Sequence, residues 1–198
     1  LGSLEPDLLS DEDMARLANV DALCPQFHLS LQSGCTATLR RMRRTYTAEQ
    51  YADTVARLRA AFGEDRVSFT TDVIVGFPES MAFVQRIGFL KAHVFPYSRR
   101  AGTPAADFPD QIPEEEKARR VHRMQTAADA TRDALIARMA GNRAEVLLET
   151  PLSSSLFTGY TKLYVPVVVS APGHKSGEIL PVTLGEFDGQ RCRAELAL

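Results

Sequence analysis

An alternating stretch that ends in a sharp turn constrains the fold of this chain most. Apolar Phe27, Leu29 and Leu31 alternate with polar residues, and a Ser-Gly turn signal follows. Residues 38–47 then carry many arginines. In α/β proteins, a polar strand end and the loop after it present ligand-binding groups at the carboxyl edge of a parallel sheet. The spacing alone is equally compatible with a half-exposed strand followed by a basic surface loop.

Two more stretches predict strands that end in polar groups. Residues 67–76 contain a continuous apolar run from Val73 to Val75, which is typical of a strand buried on both faces. Asp72 lies within this strand, where a carboxylate is costly unless it is paired or functional. Residues 91–98 predict a third strand with a polar end. We therefore expect polar side chains from three strands to meet at one edge of a sheet.

Helix signals separate and follow these strands. They comprise two capping-box pairs, one stop signal and one long helix with marked ends: Ser10 with Asp13, Thr47 with Gln50, Gly63, and the stretch from Pro113 to about Met139 before Gly141. The segment between Pro78 and Gly88 is shorter than a usual crossover helix between parallel strands. This shortness predicts that residues are missing between Pro78 and Glu79.

The sequence pattern changes after Gly141 to short apolar runs separated by turn signals. The predicted strands cover residues 146–148, 164–169, 179–184 and 191–196. Short strands of this kind predict a small antiparallel β-barrel. We therefore expect an α/β domain over residues 1–141 and a barrel over residues 142–198.

The composition excludes several classes of protein. A net charge of −2 means that any nucleic-acid-binding surface must be local. Cys24, Cys35 and Cys192 are scattered, so they predict structural thiols in a reducing cytosol rather than a disulfide framework or a metal-ligand set. No apolar run is long enough to cross a bilayer, and no signal-peptide pattern is present. The sequence thus predicts a cytoplasmic protein with no membrane partner.

Three motifs resemble the second half of the radical-SAM core of tRNA methylthiotransferases. They are His-Leu-Ser-Leu-Gln-Ser-Gly-Cys at 28–35, Thr-Asp-x-Ile-x-Gly-Phe-Pro at 71–78, and His-x-Phe-x-Tyr-Ser-x-Arg-x-Gly-Thr-x-Ala at 93–105. The resemblance implies the latter part of a TIM-like partial (β/α) barrel. The wording of the first motif is most similar to the branch that acts on threonylcarbamoyladenosine. The family continues the second motif with Gly-Glu, whereas this chain continues with Glu79.

The barrel also carries a resemblance. Gly159-Tyr160-Thr161-Lys162-x-Tyr164 is similar to the opening of the TRAM domain, an OB-like barrel that closes these enzymes and holds RNA. Aromatic and basic side chains in alternation suit stacking on unpaired bases and neutralisation of phosphates. Without the resemblance, ordinary strand aromatics beside a solvated lysine would be the simpler interpretation.

The resemblance implies a reaction and its cofactors. Such enzymes add a 2-methylthio group to N6-threonylcarbamoyladenosine at position 37 of tRNA, using S-adenosylmethionine (SAM), [4Fe-4S] clusters, a sulfur donor and a reductant. The cluster cysteines are expected upstream of Leu1, so this chain alone should be inactive. The expected SAM-binding residues, with Arg44 and Gln32 ranked first, are Gln32, Ser33, Arg44, Asp72, Tyr97 and Ser98. The expected RNA-binding residues are Tyr160, Lys162 and Tyr164.

Other interpretations stay open at this point. His28 and His93 are expected to be structural, and the motifs assign no catalytic residue and no metal ligand. Within the family, the substrate could instead be isopentenyladenosine in tRNA or a ribosomal protein. Outside it, the chain could be a non-catalytic RNA-binding module or a SAM-independent barrel enzyme such as an aldolase.

Overall fold

Three parallel strands form the centre of the first half of the chain. The computed structural model describes residues 1–76 and 81–197. Its first strands are β1 (Gln26–His28), β2 (Ser68–Val75) and β3 (Lys91–Pro96), with β2 in the middle. All pairs are parallel, so the three carboxyl ends meet at one edge, as the sequence predicts.

Helices cover one side of this sheet. They are α1 (Asp11–Ala18), α2 (Thr36–Arg41), α3 (Ala48–Phe62), α4 (Met81–Ile87) and α5 (Glu114–Ala137), with 3-10 turns at Pro6–Leu8 and Pro104–Asp107. Both predicted capping boxes are present: Ser10 accepts from the amide of Asp13, and Thr47 accepts from that of Gln50. Each box satisfies two amides that the first helical turn leaves unpaired, which fixes where the helix begins.

The crossover between β2 and β3 contains a short helix. The segment before Gly88 was expected to be too short for a usual crossover helix, and α4 there has only seven residues. It suffices because β3 lies directly beside β2 and because Phe83, Val84 and Ile87 are buried in the core beneath the sheet. The suspected gap between Pro78 and Glu79 lies outside the described residues.

The prediction that the Val73–Val75 run of β2 is buried on both faces is wrong, although residues 68–71 at the start of the strand are all buried. Val73 and Val75 are fully buried, but Asp72 and Ile74 on the opposite face remain partly exposed. Val73 and Val75 pack in the apolar core together with residues of α3, α4 and α5. The other face is free to present polar groups.

The second half of the chain is a closed five-stranded barrel. Its strands are β4 (Arg143–Pro151), β5 (Leu156–Thr161), β6 (Pro166–Ser170), β7 (Ile179–Phe187) and β8 (Cys192–Leu196). They close in the order β4-β5-β6-β8-β7. The expectation of a purely antiparallel barrel is wrong at one pair, since β6 and β8 run parallel. Strand β5 was not predicted as a strand.

The barrel packs against the amino-terminal edge of the sheet. Leu90 and Ile136 from the first half join the apolar core of the barrel. The hydroxyl of Ser68, at the start of β2, donates to the carbonyl of Leu163 in the β5–β6 turn at 2.6 Å. The barrel and the carboxyl ends of the three strands therefore lie at opposite ends of β2.

Among the described helices, none is long and apolar enough to cross a membrane.

Candidate cofactor cavity and nucleic-acid interface

A cavity of about 640 Å³ lies at the carboxyl edge of the sheet. Its polar lining includes four of the six predicted SAM-binding residues together with two that were not predicted. These residues are Gln32, Asp72, Tyr97, Ser98, Arg100 and Thr103. Arg100 and Thr103 both belong to the motif at residues 93–105, so the sequence motif could have identified them as cavity residues.

Backbone hydrogen bonds bring Gln32 to this edge. The chain leaves β1 after His28 but continues to bond to β2: the amide of Gln32 donates to the carbonyl of Asp72, and the amide of Ile74 donates to that of Gln32, both at 2.9 Å. Gln32 has a φ of 62°, a left-handed conformation that is uncommon outside glycine. This turn directs the chain away from the sheet at the point where the cavity begins.

Two buried tyrosines support the irregular end of β1. The hydroxyl of Tyr46 donates to the carbonyl of Ser30 at 2.6 Å, and that of Tyr51 donates to the carbonyl of Leu29 at 3.1 Å. Burial raises the pKa of both hydroxyls well above the ordinary value. They therefore remain neutral donors, and the carbonyl of Leu29 accepts from the hydroxyl of Thr71 on β2 as well. The sequence analysis assigned no role to either hydroxyl.

Asp72 has a hydrogen-bonded neighbourhood on the open face of the sheet. Its carboxylate lies 3.6 Å from Nε2 of His28, whose Nδ1 lies 3.0 Å from the hydroxyl of Thr70. Gln26 donates to the same hydroxyl at 2.8 Å. The rings of His28 and His93 are 6.4 Å apart. This row of polar groups leads from the amino end of the sheet toward the cavity.

Arg44 and Ser33 do not line the cavity. Arg44 forms an ion pair with Glu5, with Nη1 2.6 Å from Oε1. Ser33 is fully buried, and its hydroxyl accepts from the amide of Cys35 at 3.2 Å. The assignment of these two residues to SAM stays a prediction, and in this structure both stabilise the loop after β1.

Arg41, at the end of α2, is tied to the segment between β3 and α5. Its guanidinium donates two hydrogen bonds of 2.9 Å to Asp110 and lies 4.4 Å from the ring centroid of Phe108. The hydrogen bonds from Arg41 lower the pKa of the Asp110 carboxyl. In contrast, Arg40 and Arg43 are exposed and pair with no carboxylate among the described residues. This edge therefore carries unneutralised positive charge.

The barrel brings its three predicted RNA-binding residues together at the end of β5 and in the turn that follows it. The rings of Tyr160 and Tyr164 stack with centroids 4.5 Å apart and an interplanar angle of 17°. Tyr164 is 52% exposed. Lys162, however, forms an ion pair with Glu145, with Nζ 2.7 Å from Oε2. This hydrogen bond raises the pKa of Lys162 and offsets the charge that was expected to meet phosphate.

The described residues do not fit an iron–sulfur cluster. Cys24 is exposed, Cys35 is partly exposed and Cys192 is buried in the barrel core. Across residues 1–76 and 81–197, no group of three histidine, cysteine or acidic side chains could hold a metal ion. Cluster ligation requires convergent thiolates, so no reaction step is assigned to such a group here.

Comparison with known proteins agrees with the motifs. Residues 3–87 match the Radical SAM superfamily. Threonylcarbamoyladenosine tRNA methylthiotransferase MtaB of Bacillus subtilis is 34% identical, over 93% of this chain and 43% of that protein. A tRNA-2-methylthio-N(6)-dimethylallyladenosine synthase of Lachnoclostridium phytofermentans is 36% identical, over 93% of this chain and 42% of that protein.

One solved structure also aligns. The radical SAM enzyme coproporphyrinogen III oxidase (HemN) of Escherichia coli matches with a TM-score of 0.45 and 14% identity, over 98% of this chain and 50% of that one. This likeness is too weak to define the fold. The sequence relationship is much stronger. The chain is therefore homologous over nearly all its length to radical-SAM tRNA methylthiotransferases, as its motifs indicate, and it spans less than half the length of the curated relatives that it matches.

Proposed function

We propose that this chain is the SAM-binding and RNA-binding part of a radical-SAM tRNA methylthiotransferase. The observation that supports this most is the cavity at the carboxyl edge, where Gln32, Asp72, Tyr97 and Ser98 lie together. The residues come from three motifs that are separated in sequence. In the proposed division, residues 1–141 complete the radical-SAM core and residues 142–198 form a TRAM domain.

The polar groups of the cavity suit a zwitterionic ligand that carries a ribose. The Asp72 carboxylate can accept from an ammonium or from ribose hydroxyls, and the guanidinium of Arg100 can donate to a carboxylate. Gln32 and Ser98 add an amide and a hydroxyl that can both donate and accept. SAM, when bound, supplies the radical-forming and methyl-donating chemistry. The contribution of this chain is to bind SAM and to orient it.

The barrel supports tRNA as the macromolecular partner. A closed five-stranded barrel with a parallel β6–β8 pair is compatible with an OB-like fold, and such folds bind oligonucleotides. The stacked Tyr160 and Tyr164 offer a platform for bases. Methylthiolation would also require a sulfur donor and a reductant, and a tRNA-modifying enzyme would work in the cytoplasm.

We propose N6-threonylcarbamoyladenosine as the modified nucleoside. The support is the wording of the motif at residues 28–35 and the relationship to the B. subtilis enzyme. The test is mass spectrometry of nucleosides from tRNA incubated anaerobically with the full-length reconstituted protein. Methylthiolation of threonylcarbamoyladenosine supports the proposal. Methylthiolation of dimethylallyladenosine alone would move the chain to the other branch, and an unmodified tRNA pool would contradict the function.

A further inference from the structure

A second cavity lies between the barrel and the amino-terminal edge of the sheet. It has a volume of about 240 Å³, and both halves of the chain contribute charged residues to it. Arg66 precedes β2, whereas Arg143 and Lys162 belong to the barrel. The bond from Ser68 to the carbonyl of Leu163 holds the β5–β6 turn against this cavity. We call it the interdomain cleft.

The charges of the interdomain cleft are unequally satisfied. Lys162 is neutralised by Glu145. Arg66 and Arg143 are both exposed and form no ion pair with any carboxylate in the described part of the chain. With the Lys162–Glu145 pair set aside, the lining of the cleft holds two guanidinium groups and the carboxylate of Asp65, and the charge of Asp21 also acts on Lys162. The cleft therefore has excess positive charge, and the arginines supply it.

The interdomain cleft continues into the aromatic platform of the barrel. Arg143, Glu145 and Leu147 alternate along the outer face of β4, and Leu147 pairs with Tyr160 on β5. Four residues of extended strand span about 13 Å. A short unpaired segment of nucleic acid can bridge this distance, with bases on the tyrosines and its backbone at the cleft.

We propose that the interdomain cleft is a phosphate-binding subsite for RNA, in which Arg66 and Arg143, rather than Lys162, contact the backbone of a strand stacked on Tyr160 and Tyr164. The inference rests on the proposed function, which makes tRNA the partner. Guanidinium groups suit phosphate because they donate in a planar fork. Cations beside a stacking platform form the combination that binds unpaired nucleic acid.

The test is filter binding of labelled tRNA to the full chain over a salt series. Arg66→Gln and Arg143→Gln should each weaken binding several-fold at low salt. Each should also reduce the slope of log K against log salt by about 0.7, the value for one phosphate contact on a single strand. The matched control is Arg193→Gln, an exposed barrel arginine on β8, which does not neighbour β4. It should leave the slope unchanged.

A gain-of-function variant tests the role of Glu145. Glu145→Gln frees Lys162 and removes a negative charge, so it should tighten tRNA binding and steepen the slope. Replacing both partners, Glu145→Gln with Lys162→Gln, should restore the wild-type slope. If both arginine variants bound tRNA with wild-type affinity and an unchanged slope, the cleft would not be a phosphate-binding subsite, and the proposed function would still stand. The same conclusion would follow if Arg193→Gln lost as much affinity and slope as the two cleft variants. Absence of tRNA binding by the wild-type chain would overturn both.

Discussion

The cavity at the sheet edge and the aromatic face of the barrel use the same residue types in opposite ways. Tyr46 and Tyr51 are buried, and their hydroxyls donate hydrogen bonds to backbone carbonyls, which fixes the loop that carries Gln32. Tyr160 and Tyr164 stack on each other at the surface, and Tyr164 leaves half of its area exposed. The first pair shapes a site for a small ligand, whereas the second pair offers a surface for a large one.

The difference shows how each site depends on the rest of the chain. The cavity collects residues from three strands, so it exists only while the sheet and its loops hold their register. The aromatic face comes from five consecutive residues, 160–164, at the end of β5 and in the turn after it, and it needs only the barrel. We therefore expect the two sites to respond separately to changes in cofactors, packing and pH.

The largest expected effect concerns catalysis by this chain alone. Anaerobic reconstitution with iron and sulfide, followed by SAM and dithionite, should give no 5′-deoxyadenosine, because the described residues provide no convergent set of thiolates. The full-length protein, treated identically, is the control. A cluster absorbance together with 5′-deoxyadenosine from this chain would contradict the assignment of Cys24, Cys35 and Cys192 as structural thiols.

The next effect tests whether the barrel can be damaged without the cavity. A Cβ at Gly159 would overlap the backbone carbonyl oxygen of Leu147 on the paired strand. Gly159→Ala should therefore destabilise the barrel by about 3 kcal/mol, because the clash is with backbone, which cannot move aside as a flexible side chain can. Thermal unfolding followed by circular dichroism measures this loss.

Gly173→Ala is the control for that substitution, since nothing lies within 4 Å of its added Cβ. Its positive φ of 84° limits the cost to roughly 1 kcal/mol. The comparison between the sites is sharpened if Gly159→Ala abolishes tRNA binding while SAM binding persists. If the two variants lost equal free energy of unfolding, the close approach of β4 to β5 at Gly159 would not determine the stability of the barrel.

The third prediction separates residues inside the cavity from those beside it. Asp72→Asn in the full-length protein should weaken SAM binding by roughly 1.5–3 kcal/mol, the usual value of a hydrogen bond to a charged group. Arg44→Ala should change the affinity much less, since its guanidinium pairs with Glu5 outside the cavity. Isothermal titration calorimetry measures both. A larger loss for Arg44→Ala would support its predicted first rank among the SAM-binding residues.

The extent to which sequence predicts each site follows from the same contrast. The alternation of Phe27, Leu29 and Leu31 and the capping boxes are local patterns, and the structure confirms them. The convergence of Gln32 and Asp72 was also predictable, because parallel strands place their carboxyl ends together. The ion pairs of Arg44 with Glu5 and of Lys162 with Glu145 were not predictable from the sequence. Their partners lie far apart in sequence, and no periodic pattern encodes which carboxylate an exposed cation meets.

A smaller effect is expected from the support beneath the cavity. Tyr46→Phe should lower the free energy of unfolding by about 1 kcal/mol, because the carbonyl of Ser30 loses its donor. Burial raises the pKa of this hydroxyl above its ordinary value of 10.0. Its stabilisation is therefore complete below pH 10.0 and declines as the pH rises further. Chemical denaturation at neutral and alkaline pH measures this loss of stability. If the stability of Tyr46→Phe declined as steeply at alkaline pH as that of the wild type, groups other than Tyr46 would cause the decline.

The smallest expected effect concerns the tie between the end of α2 and the segment after β3. The hydrogen bonds from Arg41 lower the pKa of Asp110 below its ordinary value of 3.8. The tie is therefore intact above that value and is lost as the pH falls through the lower folded pKa. Carbon-13 NMR titration of the Asp110 carboxyl should show the depression, and Arg41→Gln should abolish it. The matched control is Arg40→Gln on the same helix, since Arg40 pairs with no described carboxylate. An ordinary titration of Asp110 in the wild type would mean that the contact of Arg41 with Phe108, rather than its hydrogen bonds to Asp110, holds the end of α2 against the segment after β3.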